Sequence, residues 1–296
     1  MSGPTSGISH YSFNLIELTS KPVSREGWAK WGSTLSRFQQ DGPGVQGGQA
    51  LVKHANSSLP FSKASGIMDI GCGSGSVVRE LIAAYGPEIP KEARIIAADL
   101  SPGMIEQVRQ RQSQDTAWAK VELAIYDAMD LSAVPDGSLS HVLSGFTIFL
   151  LPDHRKGMSE ALRILETGGI LAFTSMAQST WTELMGKISE VRPEKKVPGP
   201  GPMWKTEDGV KGELEAAGFK DVQAYSASLY IPFEDHMEIV DYLMSTLPFM
   251  PMFTKDMTAE EISRSRDLMI QHVKEEYPTL PGKLPGLAII GIGKKG

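Results

Sequence analysis

Three glycines at every second position follow an acid in the segment IMDIGCGSGSV, residues 67–77. The pattern reads Asp69-x-Gly71-x-Gly73-x-Gly75 and comes directly after a short apolar run. Glycine costs backbone entropy, so this density indicates a sharp bend or a close approach of another molecule to the backbone. The chemistry that such a turn suits is the binding of a nucleotide or a nucleoside.

Two common nucleotide-binding patterns fit the turn poorly. A P-loop requires G-x-x-x-x-G-K-[ST], but Ser76 is the fifth residue after Gly71 and no lysine follows it. The dinucleotide fingerprint G-x-G-x-x-G requires glycine where the chain has Ser76 or Val78. None of the seven tyrosines has a lysine four residues on, as the Tyr-x-x-x-Lys pair of many reductases does. A P-loop is excluded, and a nicotinamide-dependent reductase is the weaker alternative.

Two more acids stand at the ends of apolar runs downstream. Asp99 closes RIIAAD and Asp127 closes VELAIYD. A carboxylate accepts hydrogen bonds only and can take two at once, which suits a pair of ligand hydroxyls. The alternatives are a plain tight turn for the glycines and helix N-caps for the two acids.

The elements that must position these residues alternate between strand and helix. Short apolar runs at 66–70, 94–100 and 139–146 are separated by segments with helical spacing, and Ser101 with Pro102 is a typical helix start. Such alternation predicts an α/β protein with a parallel sheet covered on both faces. DGPGVQGG, residues 41–48, is predicted as a turn before a helix, and the Met- and Phe-rich stretch 234–277 as helical.

The spaced glycines with Asp99 and Asp127 resemble the motifs of class I S-adenosylmethionine-dependent methyltransferases. The resemblance implies a Rossmann-like seven-stranded sheet, mostly parallel with an antiparallel last strand, and a helical lid. We expect one domain with an N-terminal helical cover at 1–60, a cofactor-binding core at 61–175, and the other strands with an inserted substrate lid at 176–296.

The resemblance also implies which residues meet S-adenosylmethionine and the acceptor. The expected cofactor-binding residues are Asp69, Gly71, Cys72, Gly73, Gly75, Asp99, Leu100, Met104, Asp127, Ala128, Ser144 and Trp28. The expected substrate-binding residues are Phe146, Trp181 and Met176. No catalytic base is evident, and His54 and His154 are weak candidates. Cys72 is the only cysteine, so no C-x-x-C metal site exists and no metal is expected.

Segments such as FTIFLLPDHRKGMSEALRIL and MWKTEDGVKGELEAAGFKDVQ resemble fungal small-molecule methyltransferases of the gliotoxin bis-thiomethyltransferase kind. This implies methyl transfer to a small organic acceptor of secondary metabolism, with a thiol favoured over oxygen or nitrogen. One alternative is a cyclase or pericyclase on the same fold that uses the cofactor without consuming it. Another is a non-catalytic cofactor-binding protein.

Composition restricts the partners. The formal net charge is −6 and basic residues form no cluster longer than a pair, which argues against a nucleic-acid surface. No apolar run reaches the length of a membrane span, and the first residues lack the pattern of a secretory signal. We therefore expect a cytoplasmic enzyme with a small-molecule substrate, and the sequence leaves its oligomeric state open.

Overall fold

The computed structural model describes residues 42–196, 199–246 and 250–296. One seven-stranded sheet organises them. Its strands are β1 (Gly66–Ile70), β2 (Arg94–Asp99), β3 (Val121–Ile125), β4 (Leu139–Ser144), β5 (Leu165–Ser179), β6 (Lys220–Phe233) and β7 (Gly282–Lys294). The strand order is β3-β2-β1-β4-β5-β7-β6. Strand β7 runs antiparallel to both β5 and β6, and the other pairs are parallel, as predicted.

Helices cover both faces of the sheet and its carboxyl end. They are α1 (Pro43–Ser58), α2 (Ser76–Tyr85), α3 (Pro102–Gln114), α4 (His154–Ile164), α5 (Thr180–Met185), α6 (Ile188–Val191), α7 (Glu207–Ala216), α8 (His236–Thr246), α9 (Met250–Thr254) and α10 (Ala259–Glu276). The helical prediction for 234–277 is thereby confirmed. Within the described residues, no helix is both long enough and apolar enough to cross a membrane.

Alternate residues of the strands enter two separate cores. Ile67 of β1 packs under α1, α2 and α3, whereas its neighbour Met68 packs under α4 and α7. All five residues of β1 are buried, because a central parallel strand is covered on both faces. A third apolar cluster, the lid cluster, joins α5, α6 and α8–α10 to the ends of β6 and β7.

The predicted turn at residues 41–48 is wrong from Pro43 onward, because α1 begins there. Pro43 occupies the first turn, where its missing N–H costs nothing. Gly47 and Gly48 are buried inside the helix rather than in a loop. A Cβ on Gly47 would overlap the Phe146 ring, whereas one on Gly48 would make only ordinary contacts with Glu80 and Ser76 of α2. Burial thus overrides the local preference of glycine for turns.

Candidate functional site

The three spaced glycines form the connection from β1 to α2. Gly71, Gly73 and Gly75 have φ of 66°, 54° and 89°, all in the left-handed region. The turn is fastened to β2, since the Cys72 amide donates to the Ala98 carbonyl at 3.0 Å. Gly75 is the N-cap of α2, so the positive end of that helix faces the same turn.

Two of these glycines are also required by what lies next to them. A Cβ on Gly71 would overlap the side chain of Thr147, which follows β4, and one on Gly75 would come within 2.9 Å of the Trp118 ring. Thr147 Oγ1 in turn donates to the Gly71 carbonyl at 3.1 Å. The turn is therefore held between the ends of β2 and β4.

Cys72 lies within the turn and is buried. Burial, followed by the charges of Asp69 and Asp99, raises the pKa of its thiol well above the usual range. The group stays a thiol at neutral pH, so it fits a small packing residue of the turn.

Asp99, at the end of β2, is attached to the glycine turn by its carboxylate. Its Oδ2 accepts from the Gly73 amide at 2.9 Å and its Oδ1 from the Ser101 amide at 2.8 Å. Burial raises the pKa of Asp99, and these two hydrogen bonds oppose the rise. The N-cap of α3 is Ser101, whose hydroxyl accepts from the Met104 amide, as the sequence indicates. Asp99 is therefore not the cap of that helix.

Asp69 is the least expected feature of the site. Its side chain is 1% exposed, and among the described residues neither carboxylate oxygen has a hydrogen-bond partner. Burial raises the pKa of Asp69 well above its usual range, and the charge of Asp99 adds to this rise. The nearby Val78 amide opposes the rise without forming a full hydrogen bond. An unpartnered buried carboxyl group beside a glycine turn is a ready acceptor for a cationic ligand.

The third acid lies further along the same edge of the sheet. Asp127 follows β3 and its Oδ1 accepts from the Met129 amide at 2.8 Å. The residues after it form a turn closed by a bridge to Asp130, so Asp127 is not a helix N-cap. Ala128 is buried, Leu100 is half-buried, and Met104 is buried in the first turn of α3.

The end of β4 joins the glycine turn to the lid. The hydroxyl of Ser144 is buried and donates to the Ile70 carbonyl of β1 at 3.1 Å. Phe146 adopts φ 54°, an uncommon conformation for an aromatic residue, and its amide donates to Thr174 Oγ1 at 2.7 Å. Strained residues of this kind concentrate at binding sites. The Phe146 ring packs against the lid cluster.

The other predicted substrate residues belong to the same cluster. Trp181 in α5 is 3% exposed, and Met176 of β5 is partly buried against the cluster. The structure thus brings Phe146, Trp181 and Met176 to one apolar region beyond the carboxyl ends of the strands. Trp28 lies outside the described residues.

Both candidate bases have partners on other elements. His54 stacks on Tyr225 of β6, the strand at the opposite edge of the sheet from β3, with ring centroids 4.1 Å apart. His154 Nε2 lies 2.8 Å from Glu213 Oε2 of α7, and its ring meets the Trp204 ring edge-on. The geometry gives each a packing role, and a role as base stays a prediction. Within the described residues, no cluster of side chains could hold a metal ion.

Sequence reasoning missed three residues that shape this site. Thr147 fixes the Gly71 carbonyl, Thr174 holds the Phe146 amide, and Gly47 of α1 lies against the Phe146 ring. The pairs are 76, 28 and about a hundred residues apart in the chain, a separation that local patterns do not reveal. Of these three residues only Gly47 was marked by a sequence signal, its pairing with Gly48, and that signal predicts a turn rather than a helix.

A sheet in this order, with a glycine turn after β1 and acids after β2 and β3, defines the Rossmann-like class of S-adenosylmethionine-dependent methyltransferases. The model of a methyltransferase domain family matches residues 68–173. The chain is 34% identical to the methyltransferase ucsB of an Acremonium species over 83% of this chain and 87% of that protein. The chain belongs to the methyltransferase family and is a small-molecule methyltransferase that uses S-adenosylmethionine.

More distant relatives and solved structures extend the comparison. The acetylaranotin bis-thiomethyltransferase of Aspergillus terreus is 23% identical over 67% of this chain and 71% of that protein. The [4+2]-cyclase SpnF shares the fold with a TM-score of 0.52 and 15% identity, over 83% of this chain and 81% of that one. A Haemonchus contortus N-methyltransferase solved with S-adenosylhomocysteine matches with a TM-score of 0.51 and 17% identity, over 90% of this chain and 58% of that one.

Proposed function

We propose that this enzyme methylates a small organic acceptor of fungal secondary metabolism, with a thiol favoured over oxygen or nitrogen. The observation that carries the proposal is the glycine turn held by Asp99 and Thr147 beside the unpartnered Asp69 carboxyl group. The turn faces the apolar lid cluster through Phe146.

The residues of the site fit the cofactor. The left-handed turn at Gly71–Gly75 has no side chain at its glycines, so a ligand can lie against the backbone. Asp69 suits the ammonium group of the methionine portion, and it gains there the partner that the described residues do not supply. The Asp99 oxygens accept one amide each, which leaves lone pairs for the two ribose hydroxyls. Asp127 with Ala128 is assigned to the adenine.

The cofactor supplies an electrophilic methyl group for in-line displacement by the acceptor. The protein's contribution is alignment and the exclusion of water, and alignment alone can lower such a barrier by about 7–11 kcal/mol. We assign the alignment to Phe146 and to Ser144, which is anchored on β1. The lid cluster, with Trp181 and Met176 at its inner side, keeps water from the acceptor.

A thiol acceptor is compatible with the histidines having other partners. A thiol has a pKa of about 8.5 and is partly ionised near neutral pH, so it needs no strong base, whereas a phenol does. His54 and His154 are engaged with Tyr225 and Glu213. The name of the Aspergillus terreus relative, a bis-thiomethyltransferase, supports the same choice.

The test is methyl transfer to matched acceptors. Purified enzyme is incubated with S-adenosylmethionine and thiophenol, phenol or aniline, and S-adenosylhomocysteine is quantified by mass spectrometry. We expect equimolar methyl thioether and S-adenosylhomocysteine, with thiophenol the best acceptor. Faster methylation of phenol or aniline would refute the preference for sulfur.

A cyclase that uses the cofactor without consuming it is the second candidate, supported by the fold shared with SpnF. A small molecule that co-purifies with the protein provides the substrate for this test. Its conversion in the presence of S-adenosylmethionine without release of S-adenosylhomocysteine would favour the cyclase. A non-catalytic protein would convert nothing although it binds the cofactor.

A further inference from the structure

Gly47 is a buried glycine in the interior of α1, where glycine is less favourable than alanine. The structure gives a reason for glycine at this position, because the Phe146 ring lies against it. A Cβ on Gly47 would overlap Cε2 of the Phe146 ring and lie 2.6 Å from Cζ. The absent side chain therefore leaves a recess in α1, and the tip of the Phe146 ring occupies it.

Phe146 also has an unfavourable conformation. Its φ of 54° lies in the left-handed region, which is sterically unfavourable for a residue other than glycine. Its amide is held by Thr174 Oγ1, which fixes the backbone and hence the direction in which the ring leaves β4. Two residues that are each locally unfavourable, Gly47 in α1 and Phe146 after β4, are thus in contact with each other. Such violations of local preference are retained where the surrounding structure or function requires them.

The residues on either side of Phe146 connect this contact to the cofactor turn. A Cβ on Gly145 would come within 2.6 Å of the Val77 side chain of α2. Thr147 bonds to the Gly71 carbonyl. Phe146 is thus linked through its chain neighbours to the glycine turn, while its ring packs against the lid cluster.

From this contact we infer that Gly47 is a specificity-determining positioning residue. Its missing side chain lets the Phe146 ring withdraw into α1 and so sets the room for the acceptor beside the transferred methyl group. The inference rests on the proposed function, because it takes the space between the turn and the lid cluster as the acceptor site. A methyl group at position 47 displaces the ring towards that space and excludes bulky acceptors.

The chain offers a matched control in the adjacent residue. Gly48 lies in the same helix, but its Cβ would meet Glu80 Cγ at 3.4 Å and the Ser76 carbonyl at 3.7 Å, which are ordinary contacts. Gly47→Ala and Gly48→Ala gain the same helix propensity, so a difference between them reports the Phe146 contact rather than helix stability.

The first readout is acceptor size. Enzyme and variants are assayed with thiophenol and with 2-naphthalenethiol, and affinity for S-adenosylhomocysteine is measured by calorimetry. In Gly47→Ala we expect the ratio of kcat/KM for the larger thiol to the smaller to fall by about tenfold or more. Gly48→Ala should keep the wild-type ratio, and both should bind S-adenosylhomocysteine normally. In the Phe146→Ala background, Gly47→Ala should no longer change the ratio.

The second readout does not depend on turnover. The protein is labelled with 4-fluorophenylalanine, and the ¹⁹F resonance of Phe146 is assigned by its loss in Phe146→Leu. We expect this resonance to move in Gly47→Ala but not in Gly48→Ala, and to respond to 2-naphthalenethiol in the complex of the wild-type protein with S-adenosylhomocysteine.

Three results would overturn the inference while calorimetry still shows cofactor binding. They are an unchanged Phe146 resonance in Gly47→Ala, an unchanged selectivity ratio in that variant, and a wild-type resonance that does not respond to 2-naphthalenethiol. Failure of the proposed function is distinguishable, since the wild-type enzyme would then methylate neither thiol although it binds S-adenosylhomocysteine, whereas the effect of Gly47→Ala on the Phe146 resonance would still be measurable.

Discussion

Replacing Asp69 by Asn should stabilise the cofactor-free protein and weaken cofactor binding. The Asp69 side chain is buried, has no hydrogen-bond partner among the described residues, and faces the charge of Asp99. Because its pKa is raised in the folded state, the fold holds this proton to a higher pH than the unfolded chain does. The free energy of unfolding therefore falls as the pH rises from the unfolded pKa of 3.8 through the folded pKa.

Asparagine is similar in shape and cannot ionise, so it removes the pH-dependent part of this cost, while the cost of burying an uncharged polar group remains. The free energy of unfolding of the wild type falls by at most about 1.4 kcal/mol per pH unit while Asp69 holds its proton. At about pH 8 we expect Asp69→Asn to be more stable than the wild type, and its advantage should grow by at most about 2.7 kcal/mol from about pH 6 to about pH 8. Conversely, the loss of a charge-assisted hydrogen bond to the ligand ammonium, about 1.5–3 kcal/mol, weakens S-adenosylhomocysteine binding by about ten- to a hundredfold.

The assay is urea unfolding of wild-type and variant protein at about pH 6 and about pH 8, with calorimetric titration of S-adenosylhomocysteine at the higher pH. Asp115→Asn makes the same charge change at the exposed end of α3, where Asp115 Oδ1 accepts from the Ala117 amide at 2.9 Å. That control should change neither quantity. A variant at Asp69 that is less stable than wild type at the higher pH, or that binds the ligand equally well, would show that the carboxylate has a partner in the fold and refute the reasoning.

Three other substitutions probe the same framework. Asp99→Ala should lower the affinity for S-adenosylhomocysteine by about a hundredfold or more in calorimetry, because the ribose hydroxyls lose a charged acceptor. Gly71→Ala should lower the free energy of unfolding in urea by about 1–3 kcal/mol, because φ 66° is unfavourable for alanine and Thr147 must move. Gly199→Ala is the control and should leave the free energy of unfolding unchanged, because nothing lies near the Cβ of residue 199. Burial lowers the pKa of His141 to about 4 from 6.5, so stability is complete above 6.5 and should fall by about 3 kcal/mol as the pH drops towards 4. His141→Gln should remove this part of the pH dependence, and an unchanged profile would contradict the assignment.

Much of the core was predictable because its signals are local. The glycine spacing, the position of Asp99 after an apolar run, and Ser101 with Pro102 at a helix start are each read within about ten residues, and the structure has the same arrangement. Nearly all residues of β1, β2 and β4 are buried, as in central parallel strands covered on both faces. The number of strands and the antiparallel last strand followed from the family resemblance rather than from any local pattern.

The parts that escaped prediction depend on contacts distant in the chain. Gly47 and Gly48 read as a turn because glycine opposes helix formation locally, and only the Phe146 ring and α2 account for them in a helix. That the Asp69 carboxyl group has no hydrogen-bond partner among the described residues is likewise not visible in the sequence. Its spacing suggests a ligand, but the absence of a partner there depends on how the described elements pack.

The turn after β4 limits how acceptor specificity can change in this fold. Ser144 donates a hydrogen bond to β1 and Thr147 to the Gly71 carbonyl, so the backbone at Phe146 cannot move far without disturbing the glycine turn, which we propose binds the cofactor. A substitution at Phe146 itself should therefore alter affinity for both acceptor and cofactor. A side chain at position 47 would contact Cε2 and Cζ of the Phe146 ring and not its backbone. A substitution at Gly47 should therefore move the ring and leave the backbone in place. Acceptor preference is thus most easily altered from α1 and from the lid, outside the elements that bind the cofactor.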